Sequence, residues 1–413
     1  MPSVIVSTQI GVDVVEIGTA SFTEGIGRLS TRFRYEDAYL ARRDAFQIEP
    51  GLKLSDAAHS LQGVPMSFED SSPDQWGQIL LKKQREALAL ATDQMRRLSE
   101  VDLLLGVSDA TRQGALRFQQ DESGPYLAAD GQVPRLFDLA ELLSAADAVA
   151  DEDDDDWQAL KVLLNAGSSA LGGARAKAAI VDHDNLCLAK FPMTIDRHNV
   201  MVWEMTALDL AEKAGIAVPP HRLVDVDGRG VLLVQRFDRR AGRRIGYISA
   251  RTLMQHREQV SGAPDYVSMA TALRAFSSDP VTDLRALWRQ VAYMALINNT
   301  DNHLRNHGFL QDGKGWTNAP AFDLNPDPDT GNYRSTAIAG SSQRRNTLEG
   351  LAKLAPYCGV NDQASRDILG DVHGAVSTWR EVAAGNGATE KEIKKFEGAF
   401  TGLNLEVEKY LSV

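Results

Sequence analysis

Leu29, Thr31, Phe33 and Tyr35 alternate with Ser30, Arg32 and Arg34. A half-buried strand has this period of two, because its successive side chains point to opposite faces. From Val12 to about Phe118 the pattern stays strand-rich and predicts a first, mixed α/β domain. Ala150 to Trp157 then reads ADEDDDDW, a run of like charge that repels itself and resists burial, which predicts a solvated linker and a domain boundary. Beyond it, a Gly-rich segment precedes AAIV, a polar DHDN turn and LCLAKF, two apolar runs joined as a hairpin. Met201, Met205, Leu208 and Ala211 follow at helical spacing, and Gly215 with Pro219 beyond supplies the stop. The strand VLLVQRF comes after a DGRG turn. Gly-loop, hairpin, helix and strand in that order describe a small β-rich lobe able to close over a nucleotide.

After Arg240 the pattern turns helical. Leu284, Leu287, Val291 and Met294 form one face of a helix ending near Asn298, and Thr389-Glu390-Lys391-Glu392 has the capping-box order that announces another. The expected organisation is residues 1–150, then a small lobe over 151–240, then an all-helical large lobe over 241–413. No internal repeat of fixed period is visible.

Composition narrows the function classes. With 413 residues, 43% hydrophobic and 24% charged, the chain is long enough for two or three packed domains. Two distant cysteines, Cys187 and Cys358, form no CxxC pair, so neither a disulfide framework nor a zinc site is suggested. The absence of a long apolar span and of a basic-then-apolar start predicts a cytoplasmic protein without membrane contact. A net charge of −12 argues against autonomous DNA binding, which favours positive surface, but not against contact through a DNA-binding partner.

The chemistry concentrates in NNTDNHLRNHGFL, Asn298 to Leu310. Phosphoryl transfer needs a carboxylate to take the hydroxyl proton and an oxygen ligand to hold Mg²⁺ beside it. Asp301 and Asn306 supply both, five residues apart as in the HRDxxxxN loop of protein kinases. Asp323 lies seventeen residues further on, between Phe322 and Leu324, flanked like a DFG aspartate. Taken alone, the segment also reads as a polar loop in which asparagines merely cap and turn. Upstream, Lys190 ends the LCLAKF strand as a candidate phosphate cation, with an edge-strand lysine as the competing reading. Glu204, fourteen residues on in the next helix, is its candidate ion-pair partner.

GSSALGGARAK, Gly167 to Lys177, offers glycines that let backbone approach phosphate oxygens, with Arg175 and Lys177 as cations. It is not a P-loop, because Gly173 and Ala174 stand where that motif needs Lys and Ser or Thr.

Taken together these residues resemble the HipA family, kinase-fold toxins of bacterial toxin–antitoxin pairs, over nearly the whole chain. GGARAKA is similar to the family's Gly-rich loop, LAKFP to its IKFP strand, VQRFDR to its ERFDR hinge, NNTDNHLRN to its NxDxHxKN loop and FDLNP to its YDLxP metal motif. FEDSSPDQWG and LLLGVSDATRQGALRF look like signature segments of its amino-terminal domain. The resemblance implies an α+β, protein-kinase-like bilobal fold with an extra N-terminal domain. It implies Asp301 as catalytic base, His303 as a brace of the catalytic loop, Asn306 and Asp323 as Mg²⁺ ligands, and Lys190 on the ATP phosphates. Gln235 and Phe237 would fall at the adenine hinge, and Gly172, Gly173, Ala174 and Arg175 near the phosphates or the incoming substrate. Two departures stand out: Gln235 replaces a glutamate common in relatives, and the loop holding the candidate autophosphorylated serines, Ser168 and Ser169, is one residue longer.

The leading expectation is therefore a Ser/Thr protein kinase using ATP and Mg²⁺. By family likeness it would act on a translation component such as an aminoacyl-tRNA synthetase and pair with a small helix-turn-helix, HipB-like antitoxin, touching DNA only through it. The alternatives are a small-molecule kinase of the aminoglycoside or choline type, against which the N-terminal segments speak, and a non-catalytic kinase-fold partner of a DNA-binding repressor.

Overall fold

A computed structural model describes residues 3–25, 28–73, 75–92, 98–121, 123–128, 133–150, 157–168, 175–257 and 263–412. The chain is α+β and divides into two compact units, one of residues 1–195 with 224–248, the other of 196–223 with 249–413. Among the described residues no helix is long and apolar enough to cross a membrane.

The first unit opens on an antiparallel sheet in the order His59–Gln62, Arg28–Tyr35, Asp13–Gly25, Ser3–Ile10, Arg117–Gln119. The predicted alternation is realised in Arg28–Tyr35, where Thr31, Phe33 and Tyr35 are buried while Arg32 and Arg34 are exposed. Phe33, Phe68 and Phe118 meet edge to face beneath it, at centroid distances of 6.1 and 5.1 Å.

A second sheet carries the hairpin Lys177–Asp182 and Asn185–Lys190, paired on its far side with Arg229–Gln235. His183 and Asp184 both have positive φ, +44° and +67°, which is what a two-residue turn between right-twisted strands demands. One core joins this sheet to three helices: Ala178, Ile180, Ala189 and Leu233 pack with Trp76 and Leu80, with Leu142 and Leu143 of Leu139–Ala150, and with Leu160 and Leu163 of Trp157–Asn165. The two helices flanking the acidic run thus belong to the same unit; residues 151–156 themselves lie outside the described residues.

A buried charge network ties the segment Asp109–Gly114 to Arg236–Arg239. Asp238 is 1% exposed and accepts from Arg236, from Arg239 at 2.9 Å and from the Gly114 N–H at 2.7 Å. Arg112, wholly buried, donates to the carbonyls of Ser71, Leu104 and Val107. Burial pushes its guanidinium down to about 9, with Asp109 opposing. At Asp238 burial works upward, but the guanidiniums of Arg236 and Arg239 outweigh it and hold the carboxyl well below the usual carboxylate range.

The second unit is helical. Val200–Lys213 is capped by the Asn199 side chain and ends at Gly215, whose φ of +73° suits the left-handed stop. Trp203 stacks on Phe396 at 3.8 Å, fixing this helix to Glu390–Leu411, and Trp379 of Trp379–Gly385 stacks on Phe400 of the same helix at 4.7 Å. The latter begins with the expected capping box, Thr389 and Glu392 bonded reciprocally. Pro280–Leu296 buries Leu284, Leu287, Val291 and Met294, as its spacing predicts. Among its described residues the unit departs from an all-helical lobe most clearly in the hairpin Gly308–Asp312 with Gly315–Asn318. Gly313, at φ +56°, makes the two-residue turn that lets the apolar run GFL pair back on itself.

Removing Asp238 leaves buried guanidiniums without their carboxylate. Asp238→Ala should cost about 3–5 kcal/mol in urea unfolding at neutral pH. Because the folded carboxyl is depressed, its contribution is complete above the unfolded carboxylate range and is lost as pH falls below about 4. The gap between wild type and variant should therefore close on acidification.

Candidate functional site

Asn298 adopts φ +54° directly after the helix Pro280–Leu296 and turns the chain out of it. Its side-chain Nδ2 donates to the carbonyls of Asp327 and Asp329 at 2.7 and 3.2 Å, and its own carbonyl accepts from the Asp327 N–H at 3.0 Å. Thr300 Oγ1 adds a 2.6 Å bond to the Asp327 carboxylate. The loop carrying Asp301 is thereby clasped to the segment that follows Asp323.

Within the loop, Asp301 is exposed and Asn306 buried. Asn306 Nδ2 donates to the Asp301 carbonyl at 3.1 Å, so the amide's oxygen end is the one left for a cation. Asp301 Oδ1 accepts from the Ser335 hydroxyl at 3.4 Å, and the Ser335 N–H donates to Thr300 O at 2.9 Å. Asp323 sits in the left-handed region at φ +55°, which aspartate tolerates better than most residues. Its Oδ1 lies 3.5 Å from Asn325 Nδ2, and Leu324 beside it is buried. The donor set of Asn306 and Asp323 is all oxygen, which suits a hard divalent cation that completes its shell with phosphate and water. Among the described residues no three His, Cys, Asp or Glu side chains cluster to hold a metal unaided.

His303 caps the short turn Leu304–Asn306 by accepting the Asn306 N–H at its carbonyl, 2.9 Å. The loop is braced from inside by residues that sequence reasoning did not single out. His307 Nε2 faces the Asn302 amide at 2.9 Å and the Tyr266 hydroxyl at 3.1 Å, and Asn302 also reaches that hydroxyl. Burial, assisted by the charge of nearby His303, pushes His307 down to about 3. A neutral ring can accept at Nε2 from these neighbours. The signal was weak in the sequence, since Tyr266 is 41 residues away.

In the first unit, Lys190 and Lys177 stand opposite one another on paired strands, 7% and 5% exposed. The strand of Lys190 is paired on both sides, so the edge-strand reading of this lysine does not apply. Gln235 pairs with Cys187 in register and bonds Asn185 Oδ1 at 3.2 Å; Phe237 lies 6.2 Å from the Tyr247 ring. Arg175 is half-buried, whereas Gly172, Gly173, Ala174 and Ser169 lie outside the described residues. Ser168 is fully buried, and its hydroxyl has no hydrogen-bond partner among them. Glu204, in the second unit, is 2% exposed within its helix.

Comparison with known proteins agrees with this architecture. Residues 169–379 match the family described as HipA-like C-terminal domain, and residues 9–119 match the HipA N-terminal domain. The fold resembles a chain from the complex of HipA, HipB and operator DNA of the Shewanella oneidensis MR-1 toxin–antitoxin system, with a TM-score of 0.71 at 16% identity, covering 98% of this chain and 97% of that one. A protein of Sinorhizobium fredii named Putative kinase Y4mE is 28% identical over 153 residues. That match spans 33% of each of the two chains.

The buried imidazole makes the loop acid-sensitive. A depressed folded value means that stability is complete above the unfolded pKa near 6.5 and is lost as pH falls towards about 3. The melting temperature should fall through this window, and His307→Gln, which keeps an acceptor near Nε2 but takes no proton, should show a shallower fall.

Proposed function

The chain belongs to the HipA family, and from that premise we propose that it is an ATP- and Mg²⁺-dependent Ser/Thr protein kinase. It transfers the γ-phosphoryl group to a protein hydroxyl, as the toxin of a toxin–antitoxin pair. The observation that carries the reading is the loop in which an exposed Asp301 carboxylate is followed by an Asn306 whose amide is tied to the Asp301 backbone.

In this reading the acceptor oxygen bonds to the γ-phosphorus, the bond to the bridging oxygen breaks, and ADP departs with its electron pair. Asp301 takes the hydroxyl proton as the new bond forms. Asn306 and Asp323 hold the cation, which when bound supplies positive charge against the phosphate oxygens. Lys190, supported by Glu204, orients the phosphates. Backbone groups around Gln235 and Phe237 meet the adenine, and the Gly172 to Arg175 turn, with Lys177, lies on the phosphate side. His303 holds the turn that places Asn306.

The protein substrate is a hydroxyl on a translation component such as an aminoacyl-tRNA synthetase. Autophosphorylation falls on Ser168 or Ser169; a fully buried Ser168 must first leave its position. A HipB-like helix-turn-helix antitoxin is the partner. Contact with DNA runs through it, consistent with a net charge of −12.

With labelled ATP and Mg²⁺, the wild type should mark itself or a lysate protein. Asp301→Ala should lower transfer by about 10²–10⁴-fold, the usual worth of a general base, with nucleotide still bound. Identical labelling by the two proteins, or none by either, would remove the kinase reading. Phosphoproteomics of cells expressing each form identifies the target in the same comparison.

A further inference from the structure

Thr111 is fully buried and touches two segments that are remote from it in sequence. Its Oγ1 donates to the carbonyl of Gly167, 56 residues away, at 2.9 Å. Its own carbonyl accepts from Arg236 Nη1, 125 residues away, at 2.8 Å. The same strip of backbone is held again next door: Arg239 Nη2 donates to Arg112 O at 2.7 Å, Arg239 Nη1 to Gly114 O at 3.1 Å, and Gly114 N to Asp238 at 2.7 Å. The packing leaves no slack at Gly167, which has φ +66° and where a Cβ would lie 2.5 Å from Thr111 Oγ1. Gly167 opens the Gly-rich segment, and Arg236 stands between the two hinge residues Gln235 and Phe237.

We propose that Thr111 is a positioning residue through which the N-terminal half of the chain sets the base of the Gly-rich segment and the hinge in one fixed relation for nucleotide binding. This rests on the kinase reading for the identity of the ligand, but the coupling itself rests on the two bonds at Thr111. Neither contact is to the reacting atoms. The effect expected is therefore on affinity for Mg–ATP rather than on the rate of the bound complex.

The test is Thr111→Val, which keeps the shape and removes the donor, beside Thr111→Ser, which keeps the donor. Mg–ATP binding to the full chain by calorimetry should weaken by about 2- to 10-fold in the Val variant, the range expected for one buried hydrogen bond. The serine variant should restore it, with kcat at saturating ATP little changed in both. Amide exchange should quicken at Arg236 and Phe237 in the Val variant, although the substitution lies more than a hundred residues away. If Val at position 111 does not fold, Gly167→Ala forces the same contact apart and should give the same pattern. Wild-type affinity together with unchanged exchange at Arg236 and Phe237 would overturn the proposal, as would a serine variant no better than valine. Wild-type protein that binds no Mg–ATP would instead sink the kinase reading, while the exchange measurement would still decide the coupling.

Discussion

The first unit depends on how two guanidiniums and a carboxylate are kept out of water. Asp238 is 1% exposed, and desolvating it is tolerable only because Arg236, Arg239 and the Gly114 N–H saturate its oxygens. The arginines spend their remaining donors on the carbonyls of Thr111, Arg112 and Gly114. Such a network tolerates little displacement, since a buried polar group left unpaired costs more than the bond gained. It therefore fixes Arg236–Arg239 against the stretch Thr111–Gly114. Gly167 is gathered into the same arrangement through Thr111.

A different device organises the second unit. The chain leaves Pro280–Leu296 at Asn298 in the left-handed region, and that turn aims the following loop at Asp327, with which Asn298 and Thr300 exchange hydrogen bonds. Beneath the loop, Asn302, Tyr266 and a neutral His307 form a buried polar cluster. An exposed carboxylate thus rests on a hydrogen-bonded interior: Asp301 faces solvent while its backbone is held by Asn306 and its neighbours are anchored below.

Legibility in the sequence followed the range of the interaction. The Thr389 capping box, the Gly215 stop, the His183-Asp184 turn and the buried face of Pro280–Leu296 involve residues within one or two turns of each other, so spacing alone exposed them. The five-residue step from Asp301 to Asn306 is local in the same sense, and a hydrogen bond joins the two residues. The hairpin Gly308–Asp312 with Gly315–Asn318 was hidden inside a helical half, although its DGKG turn carried the signal. The helices on both sides of the acidic run bury their apolar faces in one core, a pairing that the run's charge does not indicate.

By itself the sequence determined several of the strands and helices, the order of the chemically distinctive segments and the family likeness they carry, since these follow from periodicity, capping and residue type along a short stretch. Only the tertiary structure decided that Thr111 meets Gly167 and Arg236, that Asp327 holds the Asp301 loop, and that His307 is buried and neutral. Those pairings join residues 27 to 125 positions apart. No local preference selects such partners; packing does, by excluding water and leaving each buried donor one acceptor within reach.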